Sequence, residues 1–359
     1  MSKIDEPTGP KSENLLEVQA HLQEYLAKVY QDHQDLQLTN LTSITTGWEN
    51  EMYAFDMAYG PRNRRRSEQL VLRIYPGDDA AGKSAREFEG MRRLEDVGYP
   101  VPHLSLLERD HSPFRKPFVV MERVDGQVMW SVLNQADRQE QQELLTQFCD
   151  LFVRLHSLDW RSFVDNSITV PLDDPYFFTS QMLEMAKNRG QDFPNTGLSP
   201  IVAWLGERKE SVPCYRPSVV HFDYHPNNIL LRPDGSAVVI DWPGIQVTDA
   251  RYDLGWTLLL VYVYMGEDWR ERILVEYERL AGAEVQQVEF FEIFACARRL
   301  FDITVSLSEG AEKLGMRPEA VQTMKEQMGP LSRVYDLLMQ HTGVRIGSIE
   351  QLLDGRSSA

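Results

Sequence analysis

The sequence predicts an α+β protein in which a small β-rich lobe, with one helix packed on an antiparallel sheet, precedes a larger and mainly helical lobe. Three observations carry this. Short β-type apolar runs cluster before residue 76, helical periodicity dominates beyond about residue 124, and one β-rich island, about Ser218 to Trp242, interrupts the helical part. The boundary is placed at residue 124, giving one domain over 1–124 with a helical leader and a second over 125–359.

Residues 1–11 hold Pro7, Gly9 and Pro10 among polar residues, which predicts a loose leader. From Asn14 to Tyr30 the residues Leu15, Val18, Leu22, Tyr25, Leu26 and Val29 share one helical face, with Asn14 and Glu17 placed to cap the start. Leu41 to Thr46, Met52 to Met57 and Gln69 to Tyr75 read as three antiparallel strands. The polar turn Gly60 to Ser67 carries Arg62, Arg64, Arg65 and Arg66; without interleaved aromatics these read as a solvated hairpin tip, not a nucleic-acid patch. Ala80 to Val97 returns to helix, with Phe88, Met91 and Leu94 three residues apart, and Gly98 and Pro100 end it. Phe118 to Met121 reads as a further strand.

Composition narrows the function. With 359 residues, 42% hydrophobic and 25% charged, the chain is an ordinary globular one long enough for a sizeable core. A net charge of −17 argues against a nucleic-acid partner, whose phosphates require Lys and Arg. Cys149, Cys214 and Cys296 lack the spacing of a disulfide framework or zinc site, so a reducing compartment is the default. The longest apolar run, Trp256 to Met265, is far below the roughly 20 residues of a membrane span, and no signal-type segment opens the chain. A soluble cytoplasmic protein without a membrane partner is expected.

The island carries the chemistry. It reads Val219-Val220-His221-Phe222-Asp223-Tyr224-His225-Pro226-Asn227-Asn228-Ile229-Leu230-Leu231, followed by the turn Pro233-Asp234-Gly235, the strand Ala237 to Ile240, and Asp241-Trp242. Pro presets φ and Gly accepts positive φ, so the turn closes a hairpin. Its outer ends then meet, which brings Asn228 and Asp241 side by side although they are thirteen positions apart. Two adjacent oxygen ligands suit Mg²⁺, which takes one or two protein carboxylates beside phosphates. Asp223, on the preceding loop, is placed to accept a hydroxyl proton as a phosphoryl group moves onto that oxygen.

With these residues in place, His221 to Trp256 resembles the catalytic core of the aminoglycoside phosphotransferase and choline kinase-like superfamily, relatives of protein kinases. The resemblance covers about Leu41 to Trp256 and extends more loosely to about residue 340. It implies a protein kinase-like two-lobe fold, with nucleotide binding in the first lobe and catalysis and acceptor binding in the second. By resemblance Asp223 is the catalytic aspartate that orients or deprotonates the acceptor hydroxyl, and Asn228 and Asp241 are Mg²⁺ ligands. His221 is implied to be structural, His225 a loop histidine near the phosphates, and Asp253, in Arg251-Tyr252-Asp253-Leu254-Gly255-Trp256, a brace behind the catalytic loop.

In the first lobe the resemblance places Arg73, within Leu70-Val71-Leu72-Arg73-Ile74-Tyr75, where protein kinases carry a phosphate-binding lysine. A guanidinium fork holds phosphate oxygens in two bonds. Glu87 on the following helix is its implied partner, with Glu89 the alternative. The turn Thr46-Gly47-Trp48-Glu49-Asn50 resembles the nucleotide-covering loop, whose backbone N–H groups at Gly47 and Asn50 would touch phosphates. Glu122-Arg123-Val124 matches the hinge, so main-chain groups of Glu122 and Val124 would meet the adenine edge. Leu155-His156 fits a family helix. Pro243, Gly244 and Thr248 depart from the pattern and bear on the shape of the loop after Asp241, not on the ligand itself.

The implied activity is ATP- and Mg²⁺-dependent transfer, with GTP also allowed, of the γ-phosphoryl group to a hydroxyl of a small molecule such as an aminoglycoside, an amino alcohol or a similar metabolite. Glu267, Asp268, Glu289, Glu292, Asp302 and Glu309 are candidates to line a site for a cationic acceptor. The competing reading is a nucleotide-binding pseudokinase serving as an interaction module; the full set Asp223, Asn228, Asp241 and Arg73 weighs against it. Asp253 follows Asp241 by only twelve positions, too few for the activation segment of a protein kinase.

Overall fold

The structure is a computed structural model and describes residues 12–44, 50–77, 79–164, 170–242, 245–316, 320–326 and 328–354. The described chain divides into two compact units, one running to Glu95 and including Val101–Asp125, the other made of Asp96–Pro100 and the chain from Gly126 onward.

The first unit is a five-stranded antiparallel sheet. Its strands are β1 (Gln37–Ile44), β2 (Glu51–Tyr59), β3 (Arg66–Ile74), β4 (Leu104–Glu108) and β5 (Phe118–Glu122), in the order β1-β2-β3-β5-β4. Helix α1 (Ser12–Val29) packs on it through Val18, Leu22 and Leu26, which join Phe55, Leu72 and Phe118 in one core. The helix begins two residues before the predicted start, so Asn14 lies in the first turn and not at the cap. Val29, predicted to face the core, is exposed. β1 starts at Gln37, four residues earlier than predicted, because a bulge between Thr39 and Thr42, with Asn40 at φ 57°, lets pairing continue to Ala58. The edge strand β4 escapes sequence reading because two prolines precede it and its five residues show no clean alternation.

Pleating assigns opposite roles to neighbours on β3. Leu70, Leu72 and Ile74 enter the core shared with α1, so Arg73 faces the other side. There it meets helix α2 (Ala80–Asp96), whose Glu87, Met91 and Leu94 are buried.

In the second unit, β6 (Gln127–Val128) pairs with the hairpin of β8 (Ile229–Leu231) and β9 (Ala237–Val239), while β7 (Ser218–Val220) pairs with β10 (Gln246–Thr248). The predicted turn closes the hairpin: Gly235 sits at φ 81°, its N–H donates to the Arg232 carbonyl at 2.9 Å, and Asp234 accepts from Ser236 N–H. Helices α3 (Met129–Leu133), α4 (Arg138–Ser157), α5 (Phe177–Asp192), α6 (Ser199–Arg208), α7 (Ala250–Met265), α8 (Glu267–Ala281), α9 (Val288–Glu309), α10 (Ala320–Glu326), α11 (Met328–Thr342) and α12 (Gly347–Asp354) make up the rest. The core lies where α7 and α9 meet, at Trp256, Leu259, Phe291 and Leu300. Gly255 permits that contact, since a Cβ there would stand 2.7 Å from the Phe291 backbone. Among the described residues no helix is long and apolar enough to cross a membrane.

Candidate active site

The loop after β7 is held from behind by one carboxylate. Asp253, fully buried in the first turn of α7, accepts from the N–H of His221 at 2.6 Å and of Phe222 at 2.9 Å. His156 of α4 stands 3.4 Å from the same carboxylate, and its other ring nitrogen is 2.8 Å from the Tyr277 hydroxyl. Two bonds to adjacent N–H groups fix the backbone of Phe222 in the left-handed region, at φ 64°. That conformation costs a non-glycine residue of order 1–3 kcal/mol and persists only where surroundings impose it. Asp241, at φ 59°, is a second such residue.

His221 is structural in the way the motif implies. Its Nε2 donates to the Ile240 carbonyl at 3.1 Å, so Nδ1 is the acceptor for Asp223 N–H at 3.2 Å. Complete burial pushes its pKa down, which keeps the ring neutral with both nitrogens spent.

Asp223 leaves this loop with both carboxylate oxygens engaged. Oδ1 accepts from the Trp256 indole N–H at 2.9 Å, while Oδ2 faces Asn228 Nδ2 at 3.3 Å and His225 Nε2 at 3.5 Å. Burial alone would raise the carboxyl pKa, but the His225 charge and hydrogen bond, the indole N–H and the Arg298 charge outweigh it and hold Asp223 well below the usual range. The pair is reciprocal: burial lowers His225, and Asp223, with Asp241, more than restores it.

Asn228 and Asp241 flank the open end of the hairpin. The Ile240 N–H donates to the Asn228 carbonyl at 2.9 Å, which brings the two residues alongside. Asn228 Nδ2 also donates to the Asp223 carbonyl at 2.9 Å, fixing the amide so that its oxygen is the remaining polar atom. Among the described residues no three His, Cys, Asp or Glu side chains group as a metal centre. The donor set here is one amide oxygen and one carboxylate, which fits a hard cation that draws its other ligands from phosphate and water.

In the first unit, Arg73 Nη1 stands 2.8 Å from Glu87 Oε1, with both side chains about as buried as the core. Glu89, the alternative partner, is exposed. Asn50, buried at the start of β2, turns its amide oxygen to Arg73 Nε at 2.8 Å and Nη2 at 2.6 Å. The sequence offered only the Asn50 backbone; the side chain proves to be a clamp on the arginine. Gly47 lies outside the described residues. Glu122 ends β5, its N–H committed to the His103 carbonyl at 2.8 Å, and Val124 follows one residue beyond the Arg123 N–H that bonds the Gln69 carbonyl.

Two residues near Asp223 were not singled out from sequence. Trp256 lies three residues after Asp253 on the same helix, a spacing that puts both on one face and was a usable signal. Arg298 lies far downstream on α9, and only tertiary packing reveals it.

Residues 40–291 match the family pattern described as "APH: Phosphotransferase enzyme family", well over half of the chain. The chain belongs to the phosphotransferase enzyme family. Residues 40–291 thus form a domain of that family. The chain is 24% identical over 249 residues to acyl-CoA dehydrogenase family member 10 of Mus musculus; the match takes in 65% of this chain and only 22% of that protein's length. Its fold is similar to that of an aminoglycoside phosphotransferase candidate from Ralstonia eutropha JMP134, at 18% identity and a TM-score of 0.59 over 87% of this chain and 98% of that one. The GDP complex of aminoglycoside 2′-phosphotransferase-IIIa aligns at 16% identity and a TM-score of 0.56, over 86% and 99% of the two chains. A streptomycin–ATP ternary complex of APH(2″)-IIa aligns at 16% and 0.54, over 90% and 99%. At these identities the likeness is one of fold.

Proposed function

We propose that this phosphotransferase moves the γ-phosphoryl group of a Mg²⁺-bound nucleoside triphosphate, ATP or GTP, to a hydroxyl of a small molecule, with residues 1–124 binding nucleotide and 125–359 supplying catalysis and the acceptor site. The observation that carries it is Asp223: a carboxylate kept ionised, fixed through Trp256, on a loop braced by Asp253. Its low proton affinity makes it a weak base for an alcohol. In a loose transition state the acceptor keeps its proton until late, so what the carboxylate supplies is orientation by a hydrogen bond from the hydroxyl, and a proton acceptor once the new bond has formed. The bond from γ-phosphorus to the β-bridging oxygen breaks, the bond to the acceptor oxygen forms, the hydroxyl proton passes to Asp223 and on to solvent, and nucleoside diphosphate leaves.

Asn228 and Asp241 would hold Mg²⁺, which when bound neutralises charge on the β- and γ-phosphate oxygens. Arg73, set by Glu87 and Asn50, offers its fork to phosphate; the Gly47 loop contributes backbone N–H groups, and main-chain atoms of Glu122 and Val124 meet the base. Aminoglycosides and amino alcohols are candidate acceptors by family resemblance.

The test pairs two variants. Asp223→Ala should lower nucleoside diphosphate release by about 10²–10⁴-fold while keeping the rise in thermal midpoint that Mg-nucleotide produces. Asp241→Ala should lose that rise as well, a stabilisation of about 2.7 kcal/mol at one hundred times Kd. Wild-type activity in either variant overturns the assignment, and a wild type that responds to neither nucleotide points to an interaction module instead.

A further inference from the structure

Arg298 stands beside the loop that carries Asp223. Trp256 of α7, the donor to Asp223, lies under the guanidinium of Arg298 on α9, 4.0 Å from its ring centre. Arg298 Nη1 also donates to the carbonyl of Phe222, the residue before Asp223, at 2.8 Å. Arg299, next on α9, donates to the Tyr264 hydroxyl at 3.1 Å. Arg189 of α5 stands 3.9 Å from Asp302, which is itself 4.0 Å from Arg298. Two of the three arginines thus share one carboxylate, in a chain whose net charge is −17.

Five of the six acidic residues considered for a cationic acceptor are disposed otherwise, and the sixth, Glu309, is exposed at the end of α9. Glu292 is paired with Arg270 at 2.6 Å, Glu289 with His341 at 2.6 Å, and Asp302 lies between arginines. Glu267 and Asp268 occupy the first turn of α8, where they complement the helix dipole. Arg298 by contrast is 29% exposed and makes one hydrogen bond and one ion pair at 4.0 Å among the described residues, although a guanidinium carries five N–H donors. Seated over an indole, it keeps a planar fork that matches carboxylate or phosphate oxygens.

We propose that Arg298 is a specificity-determining residue that holds an anionic group, carboxylate or phosphate, of the hydroxyl-bearing acceptor, so that the substrate is an anionic alcohol. This deepens the phosphotransfer reading and rests on it. The acceptor hydroxyl then points at Asp223 while its anion is held one residue away, over Trp256.

The experiment measures nucleoside diphosphate release by the full chain with Mg-ATP or Mg-GTP and four classes of alcohol: aliphatic hydroxy acids, glycerol phosphate, neutral glycerol, and the cations ethanolamine, choline and kanamycin. One of the two anionic arms should show kcat/KM at least about tenfold above the neutral and cationic arms, the order expected for one charge-assisted bidentate contact. Which arm responds distinguishes carboxylate from phosphate. Arg298→Gln should raise KM for that acceptor by about tenfold and leave KM for glycerol unchanged, so that the preference for the anion over glycerol is lost whatever the common change in kcat. Should the variant fail to fold, the wild type still decides: KM for the anionic acceptor must rise between about 50 mM and 500 mM salt while that for glycerol does not. Better turnover of any cation, or silence of both anionic arms, overturns the inference. Failure of the phosphotransfer reading is separate, being loss of the Mg-nucleotide thermal shift in the wild type.

Discussion

Two arginines, one in each unit, are held in opposite ways. Arg73 has a side chain only 6% exposed; it meets Glu87 at 2.8 Å, receives the Asn50 amide oxygen on two nitrogens, and lies 5.5 Å from the Tyr75 ring centre. Arg298 is 29% exposed, its nearest carboxylate among the described residues, Asp302, is 4.0 Å away, and its main contacts are an indole face and one backbone carbonyl. The difference follows from solvent. A charge removed from water is tolerated only with close partners, because desolvation costs several kcal/mol per ion. Arg73 is therefore aimed by its own protein before any phosphate arrives, whereas Arg298, held through fewer contacts, leaves more of its fork for a group from outside.

The largest effect should come from breaking the buried partnership. Glu87→Ala leaves Arg73 without its carboxylate and should cost about 3–5 kcal/mol, while Asp302→Ala, beside the half-exposed arginines, should cost about 0–1 kcal/mol. Chemical denaturation followed by a probe in each unit measures both, and equal losses would remove the contrast. Next in size, Asn50→Ala strips two acceptor contacts from Arg73 and should cost about 1–3 kcal/mol. If Asn50 aims the fork, KM for nucleotide also rises in this variant with little change in kcat; an unchanged KM reduces Asn50 to a packing role.

An intermediate case sharpens the comparison with the smallest effect. Glu276 is buried on α8, but its partner Arg279 is more than half exposed. The hydrogen bond from Arg279, together with that from Thr146 and the arginine's charge, outweighs burial and holds the Glu276 carboxyl below its ordinary value near 4.5. A depressed carboxyl contributes stability that is present above the unfolded-state value and lost as pH falls through the folded one. The gap in thermal midpoint between wild type and Glu276→Gln should thus be full at pH 7 and shrink below about pH 4.5. A gap that is unchanged at pH 3 would mean that size and packing, not charge, account for it.

Local chemistry explains what was legible in the residues. Pro233-Asp234-Gly235 sets a turn whatever surrounds it, so the hairpin and the adjacency of Asn228 to Asp241 could be read without coordinates. A basic residue in the apolar run of β3 demands a countercharge, and Glu87 was named from that demand together with the family resemblance. Resemblance likewise located Asp223 and the bracing Asp253, whose bonds to His221 and Phe222 are observed. Less was legible where no local rule operates. The edge strand β4 draws its definition from β5 and not from its own pattern, and Val29, the last residue of α1, is exposed although Val18, Leu22 and Leu26 of the same helix enter the core.

By itself, then, the sequence determined the α+β class, the hairpin, and which residue types stand ready for phosphoryl transfer, because turn chemistry and periodicity act over a few residues. The tertiary structure alone decided that the Asn50 side chain clamps Arg73, that Trp256 fixes one oxygen of Asp223, and that Glu292 is already neutralised by Arg270. It also decided that Arg298 reaches Phe222 from 76 residues away. The electrostatics of an acceptor site arise from charges that different helices bring together, and a net charge of −17 spread along the chain says nothing of a face where arginines gather.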